Sequence, residues 1–208
     1  MDRIMRTLGS TILSNKERAD YDFYATSPQA VNDLLAKMPE LGEKGLKVLE
    51  PCAGIGTLAD RYTELSGNPV DMWDICARRE DIGESDYMKL DCKGQYDLII
   101  TNFPFRESTA KEPIGFTQLL LKALSDVKPG GYVCSFQRLL QLESKKRFEN
   151  IYSKRKPEKI YVYSHRVACY SNGDFTKKIS SAVAYCWVIW HKDENGFFSK
   201  ETMLDWIY

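Results

Sequence analysis

The fold is decided by the stretch Leu46-Lys47-Val48-Leu49-Glu50-Pro51-Cys52-Ala53-Gly54-Ile55-Gly56. It begins as a short apolar run with a β-branched residue, which predicts a buried strand. It ends in small residues, which predict a tight turn into a helix. Gly54 and Gly56 carry no Cβ, so they can adopt a positive φ and let a ligand approach the backbone N–H groups. The stretch therefore indicates a strand, a ligand-binding turn and a helix, although a turn that binds nothing has the same pattern.

Strands and helices alternate along most of the chain. A helix is expected to begin near Pro28, with Ser27 or Thr26 as its cap. Since 208 residues with 43% hydrophobic content suit one core, we expect residues 21–208 to form one domain after a polar arm over residues 1–20. The alternation is typical of a doubly wound α/β sheet. Periodicity predicts two further helices at about 57–65 and 116–127, and strands over 70–75, 87–92, 97–101, 132–136, 159–163 and 182–190.

The composition narrows the class of protein. No apolar run reaches membrane-spanning length, and Met1-Asp2-Arg3 is not followed by a signal-type apolar core. We therefore expect a soluble protein of the cytoplasm. The six cysteines include no pair at metal-ligand spacing, and His165 and Cys169, four positions apart, have no second pair. Free buried thiols are expected, without a metal or a disulfide framework.

Positive charge is concentrated in one part of the chain. The whole sequence balances 29 basic against 29 acidic residues, which argues against indiscriminate coating of nucleic acid. From Arg138 to Lys178, however, eleven Lys or Arg residues face four Asp or Glu. This excess is compatible with a phosphate-facing side, and equally with a solvated helix face.

The charge of Glu50 indicates which ligand the Gly-rich turn prefers. Residues 54–59 also satisfy a relaxed dinucleotide pattern, with Asp74 twenty positions beyond Gly54. Glu50 stands directly before the turn, where its carboxylate would repel a pyrophosphate and attract a cation. A sulfonium cofactor with an amino acid tail carries such a positive charge.

Two motifs resemble those of a known enzyme family. Glu50-Pro51-Cys52-Ala53-Gly54-Ile55-Gly56 resembles motif I of the class I S-adenosylmethionine-dependent methyltransferases, and Asn102-Phe103-Pro104-Phe105 resembles their amino-methylating motif IV. The wider pattern, from Tyr24-Ala25-Thr26-Ser27-Pro28 to the strand at 184–190, resembles phage-type and prophage-type DNA adenine N6-methyltransferases. The resemblance implies a Rossmann-like sheet of seven strands with the last one antiparallel, and S-adenosylmethionine as cofactor.

The expected cofactor contacts come from four segments. A carboxylate at the end of the second strand can accept both ribose hydroxyls, and Asp74 is preferred over Asp71 for this role. Ile75 could sandwich the adenine ring. The resemblance implies that Tyr24 and Thr26 lie against the methionine end and that Asp91, at the tip of the predicted third strand, accepts from the exocyclic amine. The complete set is Tyr24, Thr26, Glu50, Pro51, Cys52, Ala53, Gly54, Gly56, Asp74, Ile75, Asp91 and Cys92.

Motif IV indicates the chemistry. The lone pair of an adenine N6 amine is delocalised into the ring, so the amine is a poor nucleophile. Two acceptors on its N–H bonds, the amide oxygen of Asn102 and the carbonyl of Phe103, can draw the nitrogen toward a tetrahedral geometry. Pro104 belongs to the same loop, and Phe105 offers a flat face to an extruded base.

The second position of motif IV departs from the commonest form. That form has proline there, whereas this sequence has Phe103. The role belongs to a carbonyl, which phenylalanine also has, and the rRNA adenine dimethyltransferases have an apolar residue at this position. Activity is therefore expected, although the stiffening ring is lost.

Basic and aromatic residues alternate in the later part of the chain. Such interleaving suits a phosphate backbone and flipped bases. No large recognition insertion is present, so we expect a short or relaxed sequence preference, a recognition subunit as partner, or a homodimer. The tail, with Trp206 and Tyr208 as anchors, is expected to close the fold. The candidate nucleic-acid contacts are Arg106, Arg138, Lys145, Lys146, Arg166, Lys177 and Lys178.

Three functions remain open. The first is methylation of DNA adenine N6 by base flipping. The second keeps the enzyme and changes the acceptor to RNA adenine or to a protein glutamine. The third is a non-catalytic module that binds the cofactor or nucleic acid. A nicotinamide dehydrogenase is disfavoured, because the chain has only two histidines and no candidate proton relay.

Overall fold

A computed structural model describes residues 24–106, 114–171 and 183–208. The expected arm over residues 1–20 lies outside these ranges, as do Lys177 and Lys178. Nothing is described of the side chain of Tyr24, although its backbone forms part of a strand.

Ten strands and four α-helices are formed by the described residues. The strands are β1 Tyr24–Thr26, β2 Val48–Glu50, β3 Val70–Asp74, β4 Gly83–Glu84, β5 Tyr96–Thr101, β6 Val127–Arg138, β7 Lys159–Tyr163, β8 Cys169–Ser171, β9 Tyr185–His191 and β10 Met203–Ile207. The helices are α1 Gln29–Lys37, α2 Thr57–Ser66, α3 Phe116–Asp126 and the short α4 Lys145–Arg147. Tighter turns cover Pro39–Gly42, Tyr87–Lys89 and Leu139–Leu142, and a π-helical turn covers Phe148–Tyr152.

Eight strands form one sheet in the order β10-β7-β9-β6-β5-β2-β3-β4. Strand β9 runs antiparallel to both β6 and β7, and the other neighbours are parallel. The predicted doubly wound α/β sheet with an antiparallel strand is confirmed. The antiparallel strand is not the last one, however, because β10 follows it and adds an eighth, parallel strand at the edge.

Both faces of the sheet are covered. On one face, α1 and α2 pack against the sheet around Leu34, Tyr62 and Trp187, and the Trp187 indole N–H donates to the Ala30 carbonyl at 2.9 Å. On the other face, α3 packs around Phe116 and Trp190. Parallel strands buried on both sides read as continuous apolar runs, which is why Leu98, Ile99 and Ile100 predict β5 well. All six cysteines are free thiols, and four of them are buried.

The predicted strand over residues 87–92 is wrong. Residues 87–89 form a single 3-10 turn, and the edge strand is the shorter β4. The Asp86 carboxylate caps this turn by accepting the Met88 N–H at 3.0 Å. The Tyr87 hydroxyl donates to Asp126 at 2.9 Å, so its buried ring anchors the turn to α3. Asp91 therefore lies in an exposed segment after this turn and not at the tip of a strand.

Trp206 and Tyr208 are not buried anchors, contrary to the expectation for the tail. Their exposed fractions are 46% and 90%, whereas Ile207 between them is 4% exposed. Alternate residues of a strand face opposite sides, and only the side of Ile207 packs on the core.

Within the described ranges, no helix combines the length and the apolar character needed to cross a membrane.

A strip of buried polar side chains crosses two central strands. Thr101 of β5 and Ser135 of β6 are paired in register, and Gln137 follows two positions along β6 on the same face. The hydroxyls of Thr101 and Ser135 and both amide atoms of Gln137 are shielded from solvent and have no hydrogen-bond partner in the described structure. An unsatisfied buried polar group destabilises a fold by about 1–3 kcal/mol. The strip is therefore a place where the sequence does not maximise stability.

The substitution Gln137→Met should raise the free energy of unfolding by about 1 kcal/mol or more, because it removes an unpaired amide at nearly constant volume. Urea unfolding with an unchanged m-value measures the effect. The matched control is Gln141→Met, which should destabilise, since the Gln141 amide donates to the Phe105 carbonyl at 3.0 Å. Equal destabilisation by both variants would contradict the assignment of Gln137 as unpaired.

Candidate active site

The Gly-rich turn after β2 is held by hydrogen bonds to the neighbouring strand β3. Gly54 and Gly56 have φ angles of 60° and 77°, in the region that favours glycine. The Gly54 N–H donates to an Asp74 carboxylate oxygen at 2.7 Å, and the Ala53 N–H donates to the Trp73 carbonyl at 2.9 Å. The turn is thereby fixed before any ligand arrives.

Glu50 links the turn to the helix that follows it. Its carboxylate accepts the N–H of Ala59, the third residue of α2, at 2.9 Å. A negative charge at a helix N-terminus is favourable, and the bond satisfies one of the unpaired N–H groups of the first turn. Glu50 is only 2% exposed, and this burial raises its pKa well above the usual carboxyl value. A cation nearby would offset that cost of ionisation.

Asp74 has a structural duty in addition to its predicted one. One oxygen accepts the Gly54 N–H, and the other accepts the Cys76 N–H at 2.9 Å and faces the Arg78 guanidinium at 3.4 Å. A carboxylate oxygen has two lone pairs, so the oxygen that accepts from Gly54 keeps one acceptor position, whereas the other oxygen already has two donors. Asp71, the alternative to Asp74, lies within β3 and accepts the Tyr96 hydroxyl at 2.8 Å.

Arg79 braces the turn from outside and was not predicted from the sequence. Its guanidinium donates to the Ile55 carbonyl at 2.9 Å and forms ion pairs with Asp60 and Asp81. A Cβ on Gly56 would lie 2.7 Å from an Arg79 nitrogen, so glycine is needed there for space as well as for φ. No local sequence pattern predicts the bond from Arg79 to Ile55, because the acceptor is a backbone carbonyl 24 positions earlier.

Three carboxylates surround Cys52 in the turn. Burial raises the pKa of the Cys52 thiol well above its usual value, and the negative charges of Asp74, Glu50 and Asp86 raise it further. The thiol is therefore neutral and the surroundings are acidic. Ile75, which follows Asp74, is 61% exposed and offers an apolar surface beside these acids.

The remaining cofactor candidates are placed as follows. Pro51 and Ala53 are buried in the turn. Cys92 is buried in the core on the α3 side of the sheet. Asp91 is exposed, and its carbonyl accepts from the Gln95 side chain at 2.7 Å. Strand β4 lies beside β3 at the edge of the sheet and ends at Glu84, and Asp86 is the first acidic residue after it.

Asn102 has one satisfied and one unsatisfied amide atom. Its nitrogen donates to the Thr26 hydroxyl at 2.8 Å, which fixes the side chain directly after β5. Its oxygen is shielded from solvent and accepts no hydrogen bond from the described residues. The amide oxygen of Asn102 is thus a fixed hydrogen-bond acceptor to which no described residue donates.

Phe103 anchors the backbone of motif IV. Its ring is 1% exposed and meets the Phe116 ring edge to face, with centroids 6.4 Å apart and planes at 85°. No described residue donates a hydrogen bond to its carbonyl. The anchoring ring replaces some of the stiffness that proline would give to this position.

Phe105 is covered by a cation. The Arg138 guanidinium lies 4.6 Å from its ring centroid, within cation–π range. The Tyr185 ring lies on the same side of the sheet, 6.2 Å away at 45°. The Gln141 side chain holds the Phe105 carbonyl, and Pro104 is partly exposed between the two aromatic residues.

A two-stranded sheet brings distant segments to motif IV. Strands β1 and β8 are antiparallel, and Thr26 is paired in register with Cys169. Because Thr26 also receives the Asn102 bond, both strands lie beside the tip of β5.

Most of the predicted basic contacts are exposed. Arg106, Lys145, Lys146 and Arg166 are on the surface, and Arg138 lies over Phe105. Arg147, in the same run as Lys145 and Lys146, is instead buried and donates to the carbonyls of residues 140, 141 and 143. Arg147 therefore has a structural role, whereas the side chains of Lys145 and Lys146 are exposed to solvent.

The described parts of the chain contain no group of three His, Cys, Asp or Glu side chains that could hold a metal ion.

No protein-family model matches the sequence, and no curated protein matches it. Solved structures do match. A proposed class I S-adenosylmethionine-dependent methyltransferase from Listeria monocytogenes superposes with a TM-score of 0.62 at 14% identity, over 98% of this chain and 70% of that one. The modification subunit of a proposed type I restriction enzyme from Vibrio vulnificus has a TM-score of 0.62 at 12% identity, over 97% of this chain and 48% of that one.

A third match is nearly equal in length. A proposed RNA methyltransferase from Pyrococcus horikoshii has a TM-score of 0.58 at 18% identity and covers 88% of this chain and 94% of that one. The strand order, the antiparallel strand β9 and these matches together show that the chain has the fold of the class I S-adenosylmethionine-dependent methyltransferases.

Proposed function

We propose that this chain is an S-adenosylmethionine-dependent amino-methyltransferase whose acceptor is the N6 amine of a DNA adenine flipped out of its duplex. The observation that carries the proposal is the buried, unpaired amide oxygen of Asn102, held by Thr26 at the tip of β5. An unpaired buried acceptor is costly in the free protein, and a donor from the substrate removes that cost.

The acceptor pair explains how a weak nucleophile reacts. An amine with two N–H bonds satisfies both the Asn102 oxygen and the Phe103 carbonyl. These two hydrogen bonds favour a tetrahedral nitrogen, whose lone pair then points away from the acceptors. Neither oxygen must act as a strong base, because the amine becomes acidic only as its new bond forms. Fixed positions for both acceptors supply the orientation.

The residues around the Gly-rich turn fit the cofactor. A bound S-adenosylmethionine supplies an electrophilic methyl group on a positively charged sulfonium. The acidic surroundings of Cys52 favour a cation and disfavour a pyrophosphate. The Asp74 oxygen that accepts from Gly54 retains one acceptor position for a ribose hydroxyl, and exposed Ile75 offers a surface for a purine. We assign the role predicted for Asp91 to Asp86 instead, because the strand beside β3 is β4 and Asp86 is the first acidic residue after it.

The acceptor is taken to be DNA on two grounds. Basic side chains are exposed on the segments that flank motif IV, and phosphate contacts need such cations. The Vibrio structure is described as a modification subunit of a restriction enzyme, and this chain spans about half of its length. Recognition of sequence would then come from a partner subunit or remain relaxed. A base that stacks on the covered face of Phe105 displaces Arg138, which becomes available to a phosphate.

The alternative acceptor is an RNA adenine. The Pyrococcus structure, which is described as an RNA methyltransferase, is close to this chain in length. The Asn102 oxygen and the Phe103 carbonyl would accept the same two hydrogen bonds from an adenine amine of DNA or of RNA.

Substitution of Asn102 by Ala should lower the rate of methyl transfer by about 10²–10³-fold, because one of the two acceptors is removed. Transfer of a labelled methyl group to duplex DNA, single-stranded DNA and RNA measures the rate and identifies the acceptor. Cofactor binding by calorimetry should remain within about twofold of wild type, since Asn102 meets the acceptor amine. Undiminished transfer by the Ala variant would refute the role of Asn102.

Substitution of Thr26 by Val should lower the rate of methyl transfer by about tenfold, because the Asn102 amide loses the bond that orients it. Thr26→Ser keeps the hydroxyl and should keep most of the activity. If both variants lose activity equally, Thr26 acts through packing and not through its hydrogen bond.

Substitution of Asp86 by Asn should weaken cofactor binding by about tenfold, the effect of removing one hydrogen bond to a carboxylate. Asp91→Asn is the matched control and should leave the dissociation constant unchanged, because Asp91 lies in an exposed segment. A weaker affinity only in the Asp91 variant would return the role to the residue predicted from the sequence.

Replacement of Lys145 and Lys146 by Gln should weaken DNA binding uniformly across sequences. For every phosphate that a removed lysine neutralises, the slope of log affinity against log salt should become shallower by about 0.9. Fluorescence anisotropy at several salt concentrations measures the slope, with Lys200→Gln, a cation outside the segments around motif IV, as control. An unchanged slope would mean that this pair is only a solvated surface.

A further inference from the structure

The edge strand β10 is not protected in the usual way. Edge strands commonly carry lysine, proline or an unpaired charge that prevents pairing with another chain. The strand Met203–Ile207 has neither lysine nor proline. Its one charge, on Asp205, is bound by Lys37 of α1 at 2.7 Å. Among the described residues, no other strand pairs with its outer edge, and the one charge on the strand is already bound.

The backbone groups of β10 show which residues face outward. The Met203 N–H donates to the Glu158 carbonyl at 2.9 Å, and the Ile207 carbonyl accepts the Ser164 N–H at 2.9 Å. Residues 203, 205 and 207 thus direct their backbone groups toward β7. Because these directions alternate along a strand, the N–H and C=O groups of Leu204, Trp206 and Tyr208 point away from the sheet.

The same three residues expose large apolar side chains. The exposed fractions of Leu204, Trp206 and Tyr208 are 48%, 46% and 90%, and all three side chains lie on one face of the strand. In the described structure, a row of backbone groups that pair with no other strand therefore coincides with a row of exposed apolar and aromatic side chains. Isolated exposed apolar residues are ordinary, but a continuous strip on a sheet edge marks an interaction surface.

We propose that β10 pairs antiparallel with β10 of a second copy of this chain, across a twofold axis at Trp206. In this register Trp206 faces Trp206 of the partner subunit, and Leu204 faces Tyr208 of the partner subunit. Every pair of outward-facing backbone groups then meets a matching pair, and the apolar side chains of both copies form one continuous row.

The neighbouring twofold register, with its axis at Asp205, is electrostatically worse. An axis at Asp205 would place two carboxylates directly opposite each other, and like charges in facing positions are destabilising. The axis at Trp206 places Asp205 opposite Ile207 of the partner subunit and leaves the bond to Lys37 intact. Self-complementarity of this kind is what a twofold interface requires.

The geometry also determines where the two candidate sites lie. Strand β10 is parallel to β7, and the candidate site lies at the carboxyl ends of the parallel strands. An antiparallel continuation of the sheet therefore points the two sites in opposite directions. Each site is complete within one subunit, so loss of the dimer should leave the activity per subunit unchanged.

Sedimentation velocity over a series of concentrations tests the proposal. A single strand pair is at the small end of specific interfaces, so we expect a concentration-dependent dimer for wild type. Trp206→Lys should be monomeric over the same range. Phe197→Lys, at an aromatic residue that is 70% exposed outside β10, should dimerise as wild type does. A wild type that stays monomeric throughout, or a dimer that survives Trp206→Lys, would overturn the proposal.

Disulfide trapping tests the register. Residues opposite each other in a hydrogen-bonded antiparallel pair have Cα atoms about 5.5 Å apart, which suits a disulfide. Trp206→Cys should form a covalent dimer under mild oxidation, whereas Leu204→Cys should not, because it faces residue 208. Wild type, whose Cys52 and Cys76 are partly exposed, gives the background. A covalent dimer from Leu204→Cys alone would exclude the axis at Trp206.

Discussion

The hydrogen bond from Asn102 to Thr26 is the constraint on which the candidate site depends. It joins residues 76 positions apart, at the tip of a central strand and in a three-residue strand of a separate small sheet. Thr26 is in place because β1 pairs with β8, and the amide oxygen is free because the nitrogen is the atom that Thr26 holds. The orientation of the Asn102 side chain thus depends on a contact with a residue that is distant in the sequence.

The Gly-rich turn follows a related principle on the neighbouring strands. Acidic side chains hold the backbone of the turn through its N–H groups, and Arg79 holds a carbonyl from the other side. The same carboxylates that stabilise the loop also give the surroundings their negative character. The same carboxylates therefore determine both the conformation of the turn and its negative charge, so a substitution that removes one of them changes both.

The sequence was most informative where the structure is local. Gly54 and Gly56 predict the turn because a positive φ excludes most other residues, and Leu98 to Ile100 predict β5 because only a strand buried on both faces is uniformly apolar. The prediction of a strand over residues 87–92 was wrong because Tyr87 is anchored by Asp126, 39 positions later. Arg79 and the bond to Thr26 could not be predicted for the same reason. The exposure of Trp206 was missed because composition does not reveal which strand lies at an edge.

The buried acid Glu50 has a consequence for how a charged ligand would bind. Since burial raises its pKa, the free protein tends to retain a proton on this carboxyl at pH values where an ordinary glutamate is ionised. A cation beside it lowers the pKa, so association is accompanied by proton release. By reciprocity, the affinity for the cation increases with pH until the carboxyl is already ionised in the free protein. Acidification would therefore weaken the binding of a cation at the end of β2.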